Sequence, residues 1–387
     1  MILLFLYVLV LIVPQSKMSF TVFCRSVLST YANNHQVAGI DNKKPKQPEE
    51  ELRRYNEEIG RRPLKSSANI SRMKTLLERY SQCLPQPTTE AAPSNDAKTV
   101  AIIGSTGFLG PHIIACLLRK RVGCKIFCLN RSVDGERRTM SALRGIISDI
   151  STSLSQLQFF VTNIMEPNFG LETVQANMLA SEVGEFVFNA WDPNWSLPLE
   201  HFRPFLMAIR NTVDFCAFTT MKPRITFVSS ICAVGNWPRA YPTEPYIPER
   251  IIWDSHTAME HGYGESKCVA EQLLARAHEA SGLPIAIVRA GQIGGPSSPE
   301  LGTWPRQGWL YSIIRTSKML GCFPTHVQLY DFLRAVGSGR EYDMYFQNEQ
   351  ALKVLPEVVP ITNGLLVTWL RGWELELDSS KGKKSLL

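Results

Sequence analysis

The sequence lacks cysteine pairs at the spacing of a metal or redox site. Its nine cysteines are irregularly spaced and lie mostly inside apolar runs such as IACLL and IFCLN, which is typical of buried free thiols. Two loop histidines, His256 and His261, have no metal-ligating partners at a suitable spacing. We therefore expect free cysteines and no metal site.

Concentrated charge is also absent. The formal net charge is +6, but the basic residues are spread along the chain and form no stripe with interleaved aromatic residues. A nucleic-acid-binding surface is therefore not expected. Hydrophobic residues make up 44% of the sequence and charged residues 20%, which is the composition of a globular protein. Within such a protein, Trp191 and Trp195 are interpreted as packing residues.

A long hydrophobic run is missing too. The N-terminal run MILLFLYVLVLIV covers residues 1–13, whereas a membrane-spanning helix needs about 20 apolar residues. The run also lacks the basic flank and the small-residue cleavage site of a signal peptide. Two interpretations stay open: a weak membrane anchor, or an extension of the coding sequence upstream of Met18.

Four segments can be distinguished along the chain. Residues 1–30 are the apolar N-terminal segment, and residues 31–96 are a polar linker in which residues 73–84 have the apolar spacing of a short helix. Residues 97–290 alternate short apolar strands with longer amphipathic stretches, and residues 291–387 are the C-terminal remainder. Strand candidates are TVAII, KIFCL, LQFFV, EFVFN, RITFVSS and PIAIV, and helix candidates include residues 110–120, 201–218 and 263–281. This alternation predicts an α/β fold with a doubly wound parallel sheet of the Rossmann type.

A glycine-rich loop follows the first of these strands. TVAII runs directly into a G-x-x-G-x-x-G loop, and a predicted helix opens with Pro111 immediately after it. Glycines allow a tight turn and a close approach to a pyrophosphate, and the helix N-terminus presents N–H groups and a positive dipole end. The context of strand, loop and helix predicts a dinucleotide-binding site. Its residues are Gly104, Ser105, Thr106, Gly107, Phe108, Leu109 and Gly110.

The end of the second strand indicates which dinucleotide binds. The acidic residue that would bind both ribose hydroxyls of NAD is absent there, and Arg131 stands in its place. An arginine can pair with a 2′-phosphate, which favours NADPH. Asn130, Arg131 and Ser132 also form a glycosylation sequon, and its position beside the expected ribose favours a cytoplasmic protein.

A tyrosine and a lysine stand four residues apart in the predicted helix over residues 263–281. Tyr263 and Lys267 therefore share one helix face. A nearby ammonium lowers the pKa of a phenol, which would fit Tyr263 to protonate a developing alkoxide. Ser230 ends the strand RITFVSS, at the sheet edge where ligands of such folds bind, and can hydrogen-bond the same oxygen, with Ser229 as the alternative. The predicted catalytic set is Ser230, Tyr263 and Lys267.

The glycine loop, VSS and YGESK together resemble the extended short-chain dehydrogenase/reductase superfamily. More narrowly, the segments FNAWDPNWSLPLEHFRP, VSSICAVGNWP, GYGESKCVAEQLL and RAGQIGGP resemble the male-sterility-type NAD-binding thioester reductase domains. These domains end fungal nonribosomal-peptide-synthetase-like and carboxylic acid reductase enzymes. The resemblance extends over about residues 76–324.

This resemblance implies NADPH-dependent reduction of a thioester, carried by a carrier protein or coenzyme A, to an aldehyde or alcohol in secondary metabolism. It implies that Ser230 and Tyr263 stabilise and protonate the oxyanion, and that Lys267 holds the nicotinamide ribose. It further implies that Asn189 and Ala190, at the end of the fourth strand, line the cofactor, and that Gln292 lies near the nicotinamide.

The sequence also departs from the family pattern. After the third strand the family carries an acidic residue in a G-D-x-x-x-P pattern, whereas this chain has TNIMEP at residues 162–167. Asn163 is the candidate replacement, as a hydrogen-bonding side chain. Beyond Pro324 the family's D-W-x-P-x-D segment is absent, so the C-terminal substrate lobe is expected to be shortened or replaced. No adenylation domain or carrier serine is visible upstream, so another protein would supply a carrier-bound thioester.

Two alternatives stay open beside a stand-alone thioester reductase. The first is another extended reductase, such as a sugar-nucleotide epimerase or a ketone reductase, with the same catalytic residues but a different substrate lobe. The second is a catalytically impaired NADP-binding pseudoenzyme. The motifs after Gly262 favour the thioester reductase, Tyr263 and Lys267 argue against the pseudoenzyme, and the unusual C-terminus argues for it.

Overall fold

The computed structural model describes residues 67–86 and 99–296, apart from residues 148, 245 and 292, together with the strand at 8–10 and isolated positions between 311 and 369. Most of the predicted C-terminal lobe, N-terminal segment and linker lies outside the described residues. Those domain boundaries therefore stay predictions. Within the described part of the chain, no helix is both long enough and apolar enough to span a membrane.

A six-stranded parallel sheet forms the centre of the fold. Its strands, in the spatial order β3-β2-β1-β4-β5-β6, are β1 (Thr99–Ile103), β2 (Lys125–Asn130), β3 (Leu157–Val161), β4 (Glu185–Phe188), β5 (Arg224–Ser230) and β6 (Ile285–Ala290). This is the strand order of dinucleotide-binding doubly wound folds. The predicted fold is confirmed, and the predicted strand ends are right to within one or two residues. The strands of such a sheet are apolar because helices cover both faces, and every residue of β1 and β4 is buried.

Helices connect and cover the strands. They are α1 (Ser67–Ser81), α2 (Gly110–Lys120), α3 (Gly135–Arg144), α4 (Thr173–Glu182), α5 (Arg203–Phe218) and α6 (Gly262–Ser281). A short helix, Trp237–Ala240, lies between α5 and α6. Single 3₁₀ turns occur at Ser151–Gln156, Pro167–Gly170, Leu199–Phe202, Ile231–Ala233 and Ser255–Thr257.

Helix α1 precedes the sheet in sequence and packs against α5 and α6. The sequence predicts a helix over residues 73–84, whereas the helix begins at Ser67 and ends at Ser81. Its buried side chains recur every three or four residues, and they are Ile70, Met73, Leu76, Leu77 and Tyr80. The Arg210 guanidinium on α5 donates to the carbonyls of Tyr80 and Cys83, at 3.0 and 2.8 Å. These bonds satisfy carbonyls that the end of the helix leaves without helical partners.

Two small sheets lie outside the central one. Tyr246–Ile247 pairs in parallel with Tyr345–Phe346, in the same compact unit as the central sheet. Val8–Val10 pairs antiparallel with Ile293–Pro296 in a second unit, where the Trp369 indole donates to the Pro296 carbonyl at 2.8 Å. Of the N-terminal run predicted as an anchor or an extension, only this three-residue strand is described.

The topology determines where a ligand can bind. From β1 the chain proceeds outward to β2 and β3, and then returns to β4 on the other side of β1. In open parallel sheets, ligands bind beyond the carboxyl ends of the strands, at the point where the strand order reverses. The glycine loop after β1 and the residues after β4 and β5 are therefore the segments to examine.

Candidate functional site

The glycine loop leaves β1 with a backbone that only glycine can adopt. Gly104 has φ +96°, and a Cβ on it would lie 2.8 Å from the Ala190 backbone nitrogen. A Cβ on Gly110 would lie 2.4 Å from the Gly104 carbonyl oxygen. Helix α2 then begins with Pro111 in its first turn and with no side-chain cap. The first N–H groups of a helix have no helical partners, so this end of α2 fits an anionic group.

A hydrogen-bond network of neutral side chains holds the glycine loop in position. The Ser105 hydroxyl, fully buried, donates to the Asn130 side-chain carbonyl at 2.7 Å and lies 3.1 Å from the Thr139 hydroxyl. Asn130 ends β2 and Thr139 lies on α3, so the network joins the glycine loop to both elements. Of the remaining loop residues, Leu109 is buried, Thr106 is partly buried, and Gly107 and Phe108 are exposed.

The residues after β4 meet the glycine loop as the sequence predicts. The Asn189 amide donates to the Gly104 carbonyl at 3.1 Å, and the Ala190 backbone closes against Gly104. Both side chains are partly buried. The structure therefore brings Gly104, Gly107, Asn189 and Ala190 together at the reversal of the strand order.

Two other predicted cofactor residues, Arg131 and Asn163, are exposed. Arg131 follows β2 directly and is exposed, with no ion pair to the described part of the chain. Asn163 is exposed, and its side chain serves the local turn: the amide donates to Glu166 at 2.7 Å and the oxygen accepts from the Met165 backbone at 3.2 Å. Gln292 lies outside the described residues. Their roles toward a cofactor stay predictions.

The phenol and the strand-terminal hydroxyl meet at the carboxyl edge of the sheet. The Ser230 side chain lies close enough to Tyr263 to act on the pKa of the phenol, and the Ser230 hydroxyl accepts from the Cys232 backbone at 3.1 Å. The alternative serine, Ser229, donates instead to Glu271 at 2.5 Å. Of the two serines, Ser230 is therefore the one beside Tyr263.

Lys267 follows Tyr263 by one helical turn and lies among aromatic side chains. Its side chain is buried, and Nζ donates to the Val228 carbonyl at 2.6 Å. Nζ also lies 4.2 Å from the ring centroid of Trp191 and 5.8 Å from that of Tyr263. Burial lowers the pKa of Lys267 well below its ordinary value, against the opposing effect of the Glu271 carboxylate. Stacking on the indole face offsets part of that cost of burial.

One electrostatic expectation is wrong. The sequence predicts that Lys267 lowers the pKa of Tyr263, whereas burial raises the pKa of this phenol, with a further contribution from Cys232. The neighbouring Ser230 side chain acts in the opposite direction and lowers the pKa of the phenol. The lysine ammonium is bonded to a backbone carbonyl, and its charge does not offset the removal of the phenol from water. Tyr263 is therefore a firmly protonated group in this structure.

Aromatic side chains around Tyr263 are the main feature that the sequence analysis missed. The Trp195 ring stacks on His261 with centroids 5.0 Å apart and planes 9° apart, and it lies 6.3 Å from the Tyr263 ring at 24°. The Trp191 indole donates to the Ser266 hydroxyl at 3.2 Å. Both tryptophans pack, as predicted, but they pack around Tyr263 and Lys267. The recurring aromatic residues of WDPNW, directly after β4, were the available signal.

Comparison with known sequences places most of this region in one family. The profile of the family described as male sterility protein, an NAD-binding domain, matches residues 102–333. A carboxylic acid reductase of Neurospora crassa is 37% identical over 254 residues, which are 65% of this chain and 23% of that protein. An adenylate-forming reductase of Heterobasidion annosum is 29% identical over 260 residues, again 65% of this chain and 23% of the relative. The chain thus spans about a quarter of the length of these two relatives.

Comparison with solved structures gives the same fold. The terminal R domain of the myxalamid biosynthetic pathway aligns with a TM-score of 0.58 at 18% identity, over 79% of this chain and 97% of that domain. The reductase domain of a nonribosomal peptide synthetase from Mycobacterium tuberculosis aligns with a TM-score of 0.50 at 16% identity, over 78% and 98%. The profile match covers more than half of the chain, and the motifs that suggested thioester reductase domains lie largely within it. The chain therefore belongs to the male sterility protein family of NAD-binding reductases.

Proposed function

We propose that this chain is an NADPH-dependent reductase that converts an acyl thioester to an aldehyde or alcohol in secondary metabolite biosynthesis. One observation carries the proposal: the neighbouring side chains of Ser230 and Tyr263 and the buried Lys267 lie at the sheet edge that also holds the glycine loop. Two hydroxyl donors and an ammonium beside a dinucleotide cradle fit the reduction of a carbonyl group. The names of the two relatives, both reductases, support the same reaction class.

The glycine loop fits a dinucleotide by its shape. A side chain on Gly104 or Gly110 would fill the space against which the backbone closes, and the start of α2 has no side-chain cap. The loop and α2 would hold the pyrophosphate, and Lys267 would hold the nicotinamide ribose. Asn130 is turned inward to Ser105, whereas Arg131 is exposed at the end of β2. A neutral amide and an outward guanidinium favour the 2′-phosphate of NADPH over NADH.

The residues of this chain would act on the thioester carbonyl oxygen. Bound NADPH supplies a hydride to the carbonyl carbon. The hydroxyls of Ser230 and Tyr263 donate hydrogen bonds to the oxygen as negative charge develops on it. Tyr263, which burial keeps protonated, then gives its proton to that oxygen. The Lys267 ammonium, fixed by its bond to the Val228 carbonyl, stabilises the phenolate that remains. Loss of the thiol leaves the aldehyde, and a second reduction gives the alcohol.

The proposed substrate is a thioester on a carrier protein or on coenzyme A. The test mixes purified protein and NADPH with a panel of acyl-coenzyme A and acyl-pantetheine thioesters and follows the nicotinamide absorbance. We expect oxidation of NADPH that requires a thioester. Binding of NADPH without oxidation by any thioester would favour the pseudoenzyme, and oxidation by ketones alone would favour another extended reductase.

Cofactor preference is tested at Arg131. We expect Arg131→Ala to raise the KM for NADPH by about 10–100-fold, since a hydrogen bond to a charged group contributes about 1.5–3 kcal/mol. The KM for NADH should stay unchanged. The matched control is Arg137→Ala, because Arg137 is also exposed but pairs with Asp134 at 3.2 Å. Equal effects of Arg131→Ala on both cofactors would contradict the assignment.

A further inference from the structure

The buried carboxylate of Glu271 joins three elements: α6, β5 and β6. Glu271, on α6, is 3% exposed. One of its oxygens accepts the Ser229 hydroxyl of β5 at 2.5 Å. The Arg289 guanidinium of β6 donates to the other oxygen at 2.7 Å through Nη2, and to both oxygens at 3.1 Å through Nε. Ser229 and Arg289 are direct neighbours in the register of β5 and β6. Glu271 therefore fixes α6 to the ends of two adjacent strands.

The contacts of Glu271 continue directly into the predicted catalytic set. Three consecutive residues at the end of β5 each meet a residue of α6: the Val228 carbonyl accepts from Lys267, the Ser229 hydroxyl donates to Glu271, and the Ser230 side chain lies beside Tyr263. The three α6 residues are spaced by four and therefore share one helix face. Of the three contacts, only the one between Ser229 and Glu271 involves a carboxylate. That carboxylate also accepts hydrogen bonds from two nitrogens of the Arg289 guanidinium on β6.

The charges around this contact are also coupled. Buried charges are costly unless they are paired, and Arg289 provides that pairing for Glu271. The Glu271 carboxylate also favours the charged form of Lys267, which burial disfavours. Loss of the carboxylate charge would leave the partly buried Arg289 guanidinium without its ion-pair partner and would remove a charge that favours the protonated form of Lys267. Both the geometry and the charge of the catalytic set therefore depend on Glu271.

We propose that Glu271 is a positioning residue of the reductase: it holds the end of β5 against α6 so that Ser230 stays beside Tyr263 and Lys267 stays bonded to the Val228 carbonyl. This inference rests on the proposed function, because it assigns Glu271 a role in that reaction. Glu271 itself is not expected to contact the substrate or the cofactor.

The chain contains a matched control at the opposite end of the sheet. Glu185, the first residue of β4, is 2% exposed and accepts the Thr226 hydroxyl of β5 at 2.8 Å. It also pairs with Arg121 at 3.8 Å. Like Glu271, Glu185 is buried and accepts a hydroxyl of β5, and it has a longer ion pair, but it lies at the amino ends of the strands. We expect replacement of Glu185 to destabilise the fold without displacing Ser230, Tyr263 or Lys267.

The experiment compares Glu271→Gln with Glu185→Gln in full-length protein, measured with NADPH and the best thioester of the panel. We expect Glu271→Gln to lower kcat by about 10–100-fold, since small displacements of reacting groups have effects of this size. The KM for NADPH should change by less than about twofold, because the glycine loop is not altered. Glu185→Gln should leave kcat within about twofold at temperatures where it is folded. Equal kcat values for the two variants, or a change in KM for NADPH alone, would overturn the proposal.

A second pair of variants covers the case in which Glu271→Gln does not fold. Ser229→Ala removes only the hydroxyl contact and keeps the ion pair, and Thr226→Val is its counterpart at Glu185. We expect Ser229→Ala to lower kcat by about three- to tenfold, in line with one lost hydrogen bond, and Thr226→Val to leave it unchanged. An unchanged kcat in Ser229→Ala would then overturn the proposal. Wild-type protein that reduces no thioester would instead refute the proposed function, so the two failures are distinguishable.

Discussion

The two halves of the sheet build the candidate site in different ways. At the carboxyl edge of the β1–β3 half, the backbone of the glycine loop carries the site, and neutral side chains support it: Ser105, Asn130 and Thr139. At the same edge of the β4–β6 half, ionisable side chains carry it: Lys267 and Glu271, which are buried, and Arg289, which is partly buried. Aromatic rings surround Lys267 and Tyr263 there.

The difference follows from what each half has to bind or do. A phosphate group is met by N–H groups, which any residue supplies once the backbone can come close. A proton transfer needs side chains whose protonation is held by burial and by neighbouring charges. Substitutions in the first half should therefore act on cofactor binding and stability, and substitutions in the second half should act on turnover.

The largest expected effect is at the phenol. We expect Tyr263→Phe to lower kcat by about 10²–10⁴-fold, the usual contribution of a general acid, while NADPH binding is kept. Ser230→Ala should have a smaller effect, and the double variant should be close to Tyr263→Phe alone, because the two hydroxyls act on one oxygen. The control is Tyr241→Phe, which removes a hydroxyl bonded to Asp254 at 3.0 Å. Full turnover in Tyr263→Phe would remove its role as the acid.

The next effect is on cofactor binding by the glycine loop. Gly104 and Gly123 both have positive φ, of +96° and +73°, but a Cβ on Gly104 meets Ala190 and a Cβ on Gly123 meets nothing within 4 Å. Gly123→Ala should therefore lower the free energy of unfolding by only about 1–2 kcal/mol. Gly104→Ala should lower it further and weaken NADPH binding at least about tenfold. Calorimetry and a cofactor titration measure both. Equal behaviour of the two variants would contradict the predicted close approach.

A smaller effect is expected in the pH dependence of turnover. Burial raises the pKa of Tyr263 and lowers that of Lys267, so the lysine loses its proton first as pH rises. We expect kcat to fall on the alkaline side at a pH well below the ordinary lysine pKa. Lys267→Arg keeps its proton and should shift this decline to higher pH, whatever its absolute rate. An unchanged alkaline decline in Lys267→Arg would show that another group titrates.

The smallest effect on turnover should come from the network below the loop. Ser105→Ala leaves the buried Asn130 carbonyl without the Ser105 hydroxyl, which should lower the free energy of unfolding by about 1–3 kcal/mol. We expect kcat to stay within about twofold at temperatures where the variant is folded. Denaturant unfolding and steady-state kinetics check both values. A large loss of kcat without loss of stability would contradict the expectation that substitutions in the β1–β3 half act on cofactor binding and stability.

The sequence could predict the β1–β3 half in some detail and the other half only in outline. Glycine is required wherever the backbone turns or closes, so Gly104 and Gly110 are visible as a motif. The pairing of Ser230 with Tyr263 was also accessible, because strand ends and helix faces follow from periodicity. The contacts of Glu271 with Ser229 and Arg289 were not, because they join residues far apart in the sequence. For the same reason, the burial that raises the pKa of Tyr263 could not be derived from its local spacing to Lys267.

The most direct test of the central claim is the stoichiometry of thiol release. Wild-type protein would be mixed with NADPH and a reactive acyl thioester, and free thiol and oxidised cofactor would be quantified together. Thioester reduction predicts one thiol released for each NADPH oxidised if the aldehyde is the product, or one for each two if it is the alcohol. Oxidation of NADPH without release of thiol would contradict the account.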